Sequence, residues 1–561
     1  MTAVEKSLNV AGRLATMAQI MPETVAVVEP LGYGPRRKRR YRQVTFRQLD
    51  QDSDRIARGL RDLGVLPGTR LALLVRPGID FISLVFAIFK AGAVAILIDP
   101  GMGRRNLMRC LAEGRPQGFI AIPIVHALRT FMPRRFPEAR FCVTVGRRWF
   151  WGGATLAQLR DRPWQGSELA PTAADDPAAI IFTTGSTGPP KGVLYRHGNF
   201  DAQVEEIRDH YGIRPGEIDL PCFPLFGLFN CAMGVTAVIP EMDASHPARV
   251  DPAKIVEAIE DWSVTQAFGS PAIWDRVGRY CEQRGILLPT VRRVLSAGAP
   301  VPAEVLERMR ACIHPEGDIH TPYGATEALP VASISGREVL GETAAQTRQG
   351  AGVCVGRKFR RIAWKVIRIV DGPLRSLSEA QELPSGEIGE LIVQGPVVTQ
   401  EYVTRLEANA IGKIVGEGAT WHRMGDVGYL DKMGGFWFCG RVAHRVLTAH
   451  GPMYPIPCEA IFNQHPAIYR SALVGVGPAG RQRPIVVLEP KKGRMPAGRR
   501  GRKELLGEMR QLGQGNPRTA AIEDFLLHPA FPVDIRHNAK IFREKLGIWA
   551  ANKLATAARV W

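Results

Sequence analysis

No two of the nine cysteines in this chain form a Cys-x-x-Cys pair, and their spacing builds no metal cluster. Their odd number also argues against a complete disulfide framework, so reduced, mostly buried thiols in a cytoplasmic protein are expected. No apolar run meets the requirement for a membrane span, about 20 predominantly apolar residues. The nearest, 79–98, is interrupted by Asp80 and Lys90 and punctuated by Gly92 and Asp99-Pro100, and reads as a helix followed by a short strand. Residues 1–13 carry no signal-peptide core. Negative charge is also scarce: 54 acidic residues stand against 73 Lys and Arg, a formal net charge of +19. The excess clusters at 36–40, 134–135, 147–148 and 491–503, and blocks of like charge ordinarily lie on solvated surface. No aromatic-rich binding module or zinc-finger spacing accompanies them, which disfavours nucleic-acid binding. An acidic protein partner, peripheral contact with an anionic membrane, or steering of anionic substrates each fits the charge.

A chain of 561 residues exceeds what one hydrophobic core can organise and implies at least two domains. Residues 1 to about 170 alternate helical stretches such as 54–63 with strand-like runs at 71–75 and 93–98, the pattern of an α/β layer. A second α/β unit is expected from about Asp176, with core strands at 236–240, 264–268 and 293–296. From about 350 to 439 the pattern changes to short strands and turns (363–370, 389–394, 435–439), a small β-rich unit. The basic, glycine-rich stretch 491–514 reads as a solvated loop grading into a helix. No internal repeat is present.

The segment Thr183-Thr-Gly-Ser-Thr-Gly-Pro-Pro-Lys-Gly192 follows the apolar strand-like run 178–182. Glycines let backbone approach a phosphate, hydroxyls and amides supply donors, and Lys191 adds a mobile positive charge. The spacing is not that of a Walker loop, because no Ser or Thr follows the lysine. Taken alone, the segment also fits an ordinary Gly/Ser/Pro surface loop, the less favoured of the two readings.

Further motifs occur in a fixed order: Ser296-Ala-Gly-Ala-Pro300, Tyr323-Gly-Ala-Thr-Glu327, Met424-Gly-Asp426, Gly440-Arg441 and Asn538-Ala-Lys-Ile-Phe-Arg543. With the phosphate loop they resemble the adenylate-forming superfamily of acyl-CoA synthetases, luciferases and adenylation domains, over almost the whole chain. The resemblance implies an α/β fold with mixed α+β elements: a large multi-subdomain N-terminal domain, 1–439, and a small mobile α+β C-terminal lid, 440–561. It also implies ATP and Mg²⁺. Thr183, Thr184, Gly185, Ser186, Thr187, Gly188 and Lys191 would surround the phosphates, with Thr326 near the α-phosphate and Glu327 the metal ligand. Gly298, Ala299 and Pro300 would lie beside the adenine, with Tyr323 stacking on it. Asp426 and Arg441 would hold the ribose, and Lys540 would be the adenylation lysine, with Lys545 its nearest competitor. Read without the resemblance, 323–327 would be a turn leading into a helix, and Asp426 and Arg441 a surface ion pair.

Three positions depart from the family pattern: Met424 replaces a threonine, Ala539 a glycine, and His444 an Asp or Lys at the hinge. The connection 451–459 is proline-rich and longer than usual, so the domain reorientation is expected to differ from that of CoA ligases. The stretch Cys222-Phe-Pro-Leu-Phe-Gly-Leu-Phe229 lacks the histidine that acyl-CoA synthetases often place there, and its phenylalanines and leucines favour an alkyl chain. The same residues could also be ordinary core. The phrases around 223–243, 323–330 and 531–549 further resemble the β-lactone synthetases of bacterial long-chain olefin biosynthesis. That resemblance implies a long-chain 2-alkyl-3-hydroxy acid as substrate. It also implies a condensing enzyme, a reductase and a β-lactone decarboxylase as assembly partners, and a place in the cytoplasm near the inner membrane. The alternative enzyme is a long-chain acyl-CoA synthetase; a peptide-synthetase-like adenylation domain and an inactive scaffold fit less well. No general base emerges, and His197 reads as a structural histidine.

Overall fold

The computed structural model describes residues 7–183, 188–533 and 541–558. Short, wholly buried apolar runs such as Val94–Leu97 and Gly118–Ala121 can be strands only where both sheet faces are covered, and they lie in the interior of a mainly parallel sheet. Its seven strands run in the order Ala154–Thr155, Phe141–Thr144, Gly118–Ala121, Arg70–Leu74, Val94–Leu97, Pro177–Phe182 and Gly192–Arg196. Only the last pair is antiparallel.

A second, nine-stranded sheet runs Arg357–Lys358, Ala328–Ser335, Asp318–Ala325, Arg293–Ser296, Gln266–Gly269, Ile218–Pro221, Thr236–Val238, Val25–Tyr33 and Arg39–Thr45. The six strands from Asp318–Ala325 to Val25–Tyr33 are mutually parallel, with antiparallel hairpins at both ends. The two sheets are therefore not built from consecutive halves of the chain. The strand expected to open a second unit, Pro177–Phe182, pairs with Val94–Leu97 in the first sheet, while Val25–Tyr33 joins the second. Periodicity reports that a strand is buried but not which neighbour it buries against, and this is where the expected partition at 176 fails.

The helix Ile79–Lys90 accounts for the membrane-like run. It is buried almost all round, and its Lys90 Nζ is held by Asp50 at 2.6 Å and Asp54 at 2.7 Å. A buried ammonium needs such partners to offset its desolvation. No helix among the described residues is long and apolar enough to cross a membrane. All nine cysteines are free thiols; eight are buried and Cys142 is half-buried.

After residue 350 the chain forms an antiparallel sheet ordered Val353–Cys354, Phe436–Arg441, Thr420–Leu430, Gly389–Gln394 and Ala363–Ile367, with Lys413–Val415 added to Thr420–Leu430. The smaller C-terminal part is α+β. The strands Ile468–Val476, Arg483–Pro490 and Asp524–Leu527 pair in that order, accompanied by the helices Pro455–Phe462, Gly498–Gln514 and Arg543–Ala558. The stretch read as a loop grading into a helix is thus helical from Gly498.

Candidate active site

In both mainly parallel sheets the predicted site residues gather at the carboxyl ends of the strands, the edge where α/β sheets bind ligands. Thr183 follows Pro177–Phe182, and Lys191 precedes Gly192–Arg196. The Thr183 N–H donates to the Lys191 carbonyl at 2.9 Å, and the Lys191 N–H donates to Thr183 Oγ1 at 3.2 Å. The two ends of the loop are therefore clamped. Gly188 is described and is exposed, whereas Thr184, Gly185, Ser186 and Thr187 lie outside the described residues.

Thr326 and Glu327 occupy the turn of a hairpin between Asp318–Ala325 and Ala328–Ser335, where the residues read alone suggested a turn into a helix. Gly324 makes the hairpin feasible, since a Cβ there would lie 2.6 Å from the Ala328 carbonyl oxygen. The Thr326 carbonyl accepts the Tyr195 hydroxyl at 2.5 Å. Glu327 Oε1 accepts the Tyr402 hydroxyl at 2.7 Å, and Lys191 Nζ stands 4.8 Å from the centre of the same tyrosine ring. One aromatic ring thus links the loop lysine to the turn glutamate.

Tyr402 had no motif to announce it. It is placed by long-range pairing: bridges join Val193 to Tyr402 and Ala328 to Val398, tying one segment to both motif-bearing hairpins. Thr399 of that segment donates its N–H and its hydroxyl to the Glu327 carbonyl, both at 2.9 Å. Lys413 donates to the Thr399 carbonyl and lies 5.6 Å from the Tyr402 ring centre; burial lowers its pKa to about 8, against the opposing pull of Glu327. Burial, then Glu327, raises the Tyr402 phenol pKa above its ordinary value, which keeps it a neutral donor.

The second cluster follows from strand register. Asp426 and Arg441 are direct partners across the antiparallel pair Thr420–Leu430 and Phe436–Arg441. Arg441 Nε is 3.0 Å from Asp426 Oδ1, and Arg441 Nη2 donates to the Met424 carbonyl at 3.2 Å. Asp426, opposed by burial, raises the guanidinium pKa above its ordinary value. Gly425 has φ of +65°, a conformation a side chain would strain. Met424 turns into the core beside Val393 and Phe436, so the missing hydroxyl at this position is replaced by packing. The Tyr323 hydroxyl donates to Asp426 Oδ2 at 2.5 Å, and its ring lies 6.1 Å from that of Phe436. Gly298, Ala299 and Pro300 follow Arg293–Ser296, the strand paired in parallel with the one carrying Tyr323; Gly298 and Pro300 are exposed and Ala299 is half-buried.

Across Gly440, His444 Nε2 lies 3.2 Å from Glu544 Oε1, and burial, reinforced by Arg543, pushes this imidazole down to about 4. The long 451–459 connection forms the hairpin Val446–Thr448 with Gly451–Met453 and then the helix Pro455–Phe462. From that helix the buried Glu459 holds Arg543 Nη2 at 2.9 Å and accepts the Leu473 N–H at 2.7 Å. Arg543 therefore anchors the terminal helix. Lys540 lies outside the described residues, but both flanks of its segment are fixed: Val533 bridges to Ile541, and the Phe542 N–H donates to the Pro532 carbonyl at 2.9 Å. Lys545, its competitor, sits over the Phe542 ring at 4.7 Å.

The phenylalanine-rich stretch divides between core and shelf. Leu225 and Leu228 pack on the main core. Phe226 and Phe229 are half-buried and Phe223 is exposed; Phe226 stacks on Phe268 with ring centres 3.4 Å apart. The shelf follows the carboxyl end of Ile218–Pro221, in the sheet that also positions Tyr323. His197 is fully buried and its Nδ1 accepts the Val10 N–H at 3.2 Å, a structural role.

The described geometry thus combines the clamped ends of the 183–192 segment and its lysine, a glutamate in a hairpin turn, and an Asp–Arg–Tyr cluster. The family model for AMP-binding enzyme matches residues 14–403. The chain belongs to this adenylate-forming family. Olefin beta-lactone synthetase of Xanthomonas campestris pv. campestris is 46% identical over 552 residues, covering 97% of this chain and 98% of the relative. Olefin beta-lactone synthetase of Stenotrophomonas maltophilia is 45% identical over 563 residues, covering 99% and 100%. In fold, the chain is similar to the amide bond synthetase McbA from Marinactinospora thermotolerans, with TM-score 0.76 and 21% identity over 96% of this chain and 99% of that one. It is likewise similar to o-succinylbenzoate coenzyme A synthetase from Bacillus subtilis in complex with AMP, with TM-score 0.70 and 20% identity over 96% and 98%. The adenylate-forming fold, with its large N-terminal and smaller C-terminal parts, is the expected one.

Proposed function

We propose that this adenylate-forming enzyme activates a long-chain 2-alkyl-3-hydroxy acid with ATP and closes it to a β-lactone, releasing pyrophosphate and AMP. The observation that carries this reading is similarity along the full length to two olefin beta-lactone synthetases. The site chemistry supports it. A carboxylate oxygen attacks the α-phosphorus and pyrophosphate departs, giving an acyl adenylate. The substrate's own β-hydroxyl oxygen then attacks the acyl carbon, AMP leaves, and the hydroxyl proton is released. The internal nucleophile needs no second substrate, and its proximity offsets part of the ring strain.

In this reading the 183–192 loop and Lys191 neutralise the triphosphate, while Asp426 and Arg441 accept and reinforce the ribose hydroxyls. Lys540 brings its charge to the α-phosphate when the 440–561 unit swings on Gly440. Among the described residues no three His, Cys, Asp or Glu side chains gather into a metal cage. A single carboxylate, Glu327, fits Mg²⁺, which is held largely by substrate phosphates and water. When bound there, the ion would neutralise phosphate charge. The half-buried shelf at Phe226 and Phe229 suits an alkyl branch. Condensing and reducing enzymes would supply the hydroxy acid, and a decarboxylase would consume the lactone.

Asp426→Asn should raise the KM for ATP about tenfold with a smaller change in kcat, because it weakens a charge-assisted contact made equally in ground and transition states. Initial rates of pyrophosphate release measure this, and an unchanged KM removes the ribose contact. The acceptor step is tested by comparing the hydroxy acid with its 3-deoxy counterpart. The hydroxy acid should release AMP over many turnovers, whereas the deoxy acid should stop near one pyrophosphate per enzyme. Sustained AMP release from both acids without another acceptor argues against an internal nucleophile.

A further inference from the structure

One group of exposed apolar side chains comes together on the helix Pro123–Thr130 and the loop that follows the strand Phe141–Thr144. The helix Pro123–Thr130 presents Ile124 and Leu128, and Phe131 follows it, so the three occupy the i, i+4 and i+7 positions of one face. The loop after Phe141–Thr144 adds Trp149 and Phe150, and the Phe150 ring packs against Phe131 at 6.4 Å. These five side chains are 52–77% exposed. Trp151 anchors the loop from beneath, buried, with its indole N–H donated to Thr144 Oγ1 at 2.9 Å. The aromatic tip therefore stands on a fixed base.

The charge around this patch is of one sign. Arg134 and Arg135 follow Phe131, and Arg147 and Arg148 precede Trp149; all four are exposed. Among the described residues none of the four has an acidic side chain within ion-pair distance. Between 122 and 155 the only acidic residue is Glu138, and it is paired with Arg115 at 2.5 Å. Arg135 also lines an adjoining surface pocket with Arg104, Arg105 and Arg109; its one acidic member, Glu113, is held by Arg405 at 2.8 Å.

We propose that this aromatic tip and its arginine rim dock the enzyme on an anionic lipid bilayer. Tryptophan and phenylalanine with an arginine surround suit the headgroup boundary, where apolar insertion and attraction to anionic lipid add. An acidic protein would be held by the arginines but would leave five large apolar side chains without a stated partner, so the bilayer accounts for more of the surface. In part the inference rests on the proposed function: a two-chain hydroxy acid and its more apolar lactone both partition into membrane, and a docked enzyme meets them there.

Full-length protein is mixed with phosphatidylglycerol–phosphatidylcholine vesicles or pure phosphatidylcholine vesicles, without ATP or acid, and sedimented. We expect binding to the anionic vesicles that falls with added salt. Phe131→Ser/Trp149→Ser/Phe150→Ser and, separately, Arg134→Gln/Arg135→Gln/Arg147→Gln should each weaken it about tenfold or more. Both variants should keep wild-type pyrophosphate release from detergent-dispersed acid, which also shows that they fold. Absence of wild-type binding, or binding that neither variant alters, overturns the proposal. So does a wild-type oligomer in analytical ultracentrifugation that the aromatic variant dissolves, since a second copy then covers the patch. The vesicle assay contains no reactants, so failure of lactone formation with vesicle binding intact refutes the functional reading alone.

Discussion

Lys540→Ala should lower the rate of acid-dependent pyrophosphate release about 100-fold or more, with ATP binding changed only a few-fold. The size follows from the role proposed for Lys540, a positive charge facing the negative charge that develops at the α-phosphate, whose loss is felt in the transition state more than in the ground state. ATP binding is spared because the other contacts proposed for the nucleotide lie on the larger N-terminal part and at Arg441. The framework around Lys540 should survive, since Arg543 remains held by the buried Glu459 and Ile541 remains bridged to Val533. Lys545→Ala is the matched control, as that side chain lies over Phe542. Near-normal release in the Lys540 variant, with loss in the Lys545 variant, transfers the role to Lys545. Rapid-quench measurement of pyrophosphate, paired with equilibrium titration of ATP, separates these outcomes.

Glu327→Gln should reduce turnover about tenfold or more at limiting Mg²⁺, with partial recovery as the metal is raised, because the change removes one of the few protein charges proposed to face the ion. The amide keeps an oxygen that can accept the Tyr402 hydroxyl, and Thr399 holds the Glu327 backbone rather than its side chain. Thermal unfolding should therefore move little. A metal titration with unchanged apparent affinity and unchanged turnover counts against the ligand assignment.

The motifs were legible because each is contiguous and its chemistry is local. Thr183 and Lys191 lie at the two ends of one loop, and the Asp426–Arg441 pair needs only a hairpin to bring it into register. Tyr402, Thr399 and Lys413 were not legible. They reach Glu327 and Lys191 through isolated bridges between segments separated by 70 to more than 200 residues, and no local spacing encodes such a contact. The partition of strands between the two parallel sheets was hidden for a related reason. A buried apolar run such as Pro177–Phe182 satisfies either sheet, and only tertiary packing selects its neighbour. The helix Ile79–Lys90, in contrast, was readable despite its apolarity, because the charges that interrupt it are the ones the fold uses: Lys90 binds Asp50 and Asp54. Met424 shows a departure within a motif whose side chain joins the core.

The central claim is that the acceptor of the acyl group is the substrate's own hydroxyl. Its most direct test is mass spectrometry of products formed from ATP, Mg²⁺ and a 2-alkyl-3-hydroxy fatty acid, in matched reactions with and without coenzyme A. The account predicts AMP and, in both reactions, a product lighter than the acid by one water and bearing the β-lactone carbonyl signature in the infrared. A thioester formed only with coenzyme A, with no dehydrated cyclic product in either reaction, would contradict it.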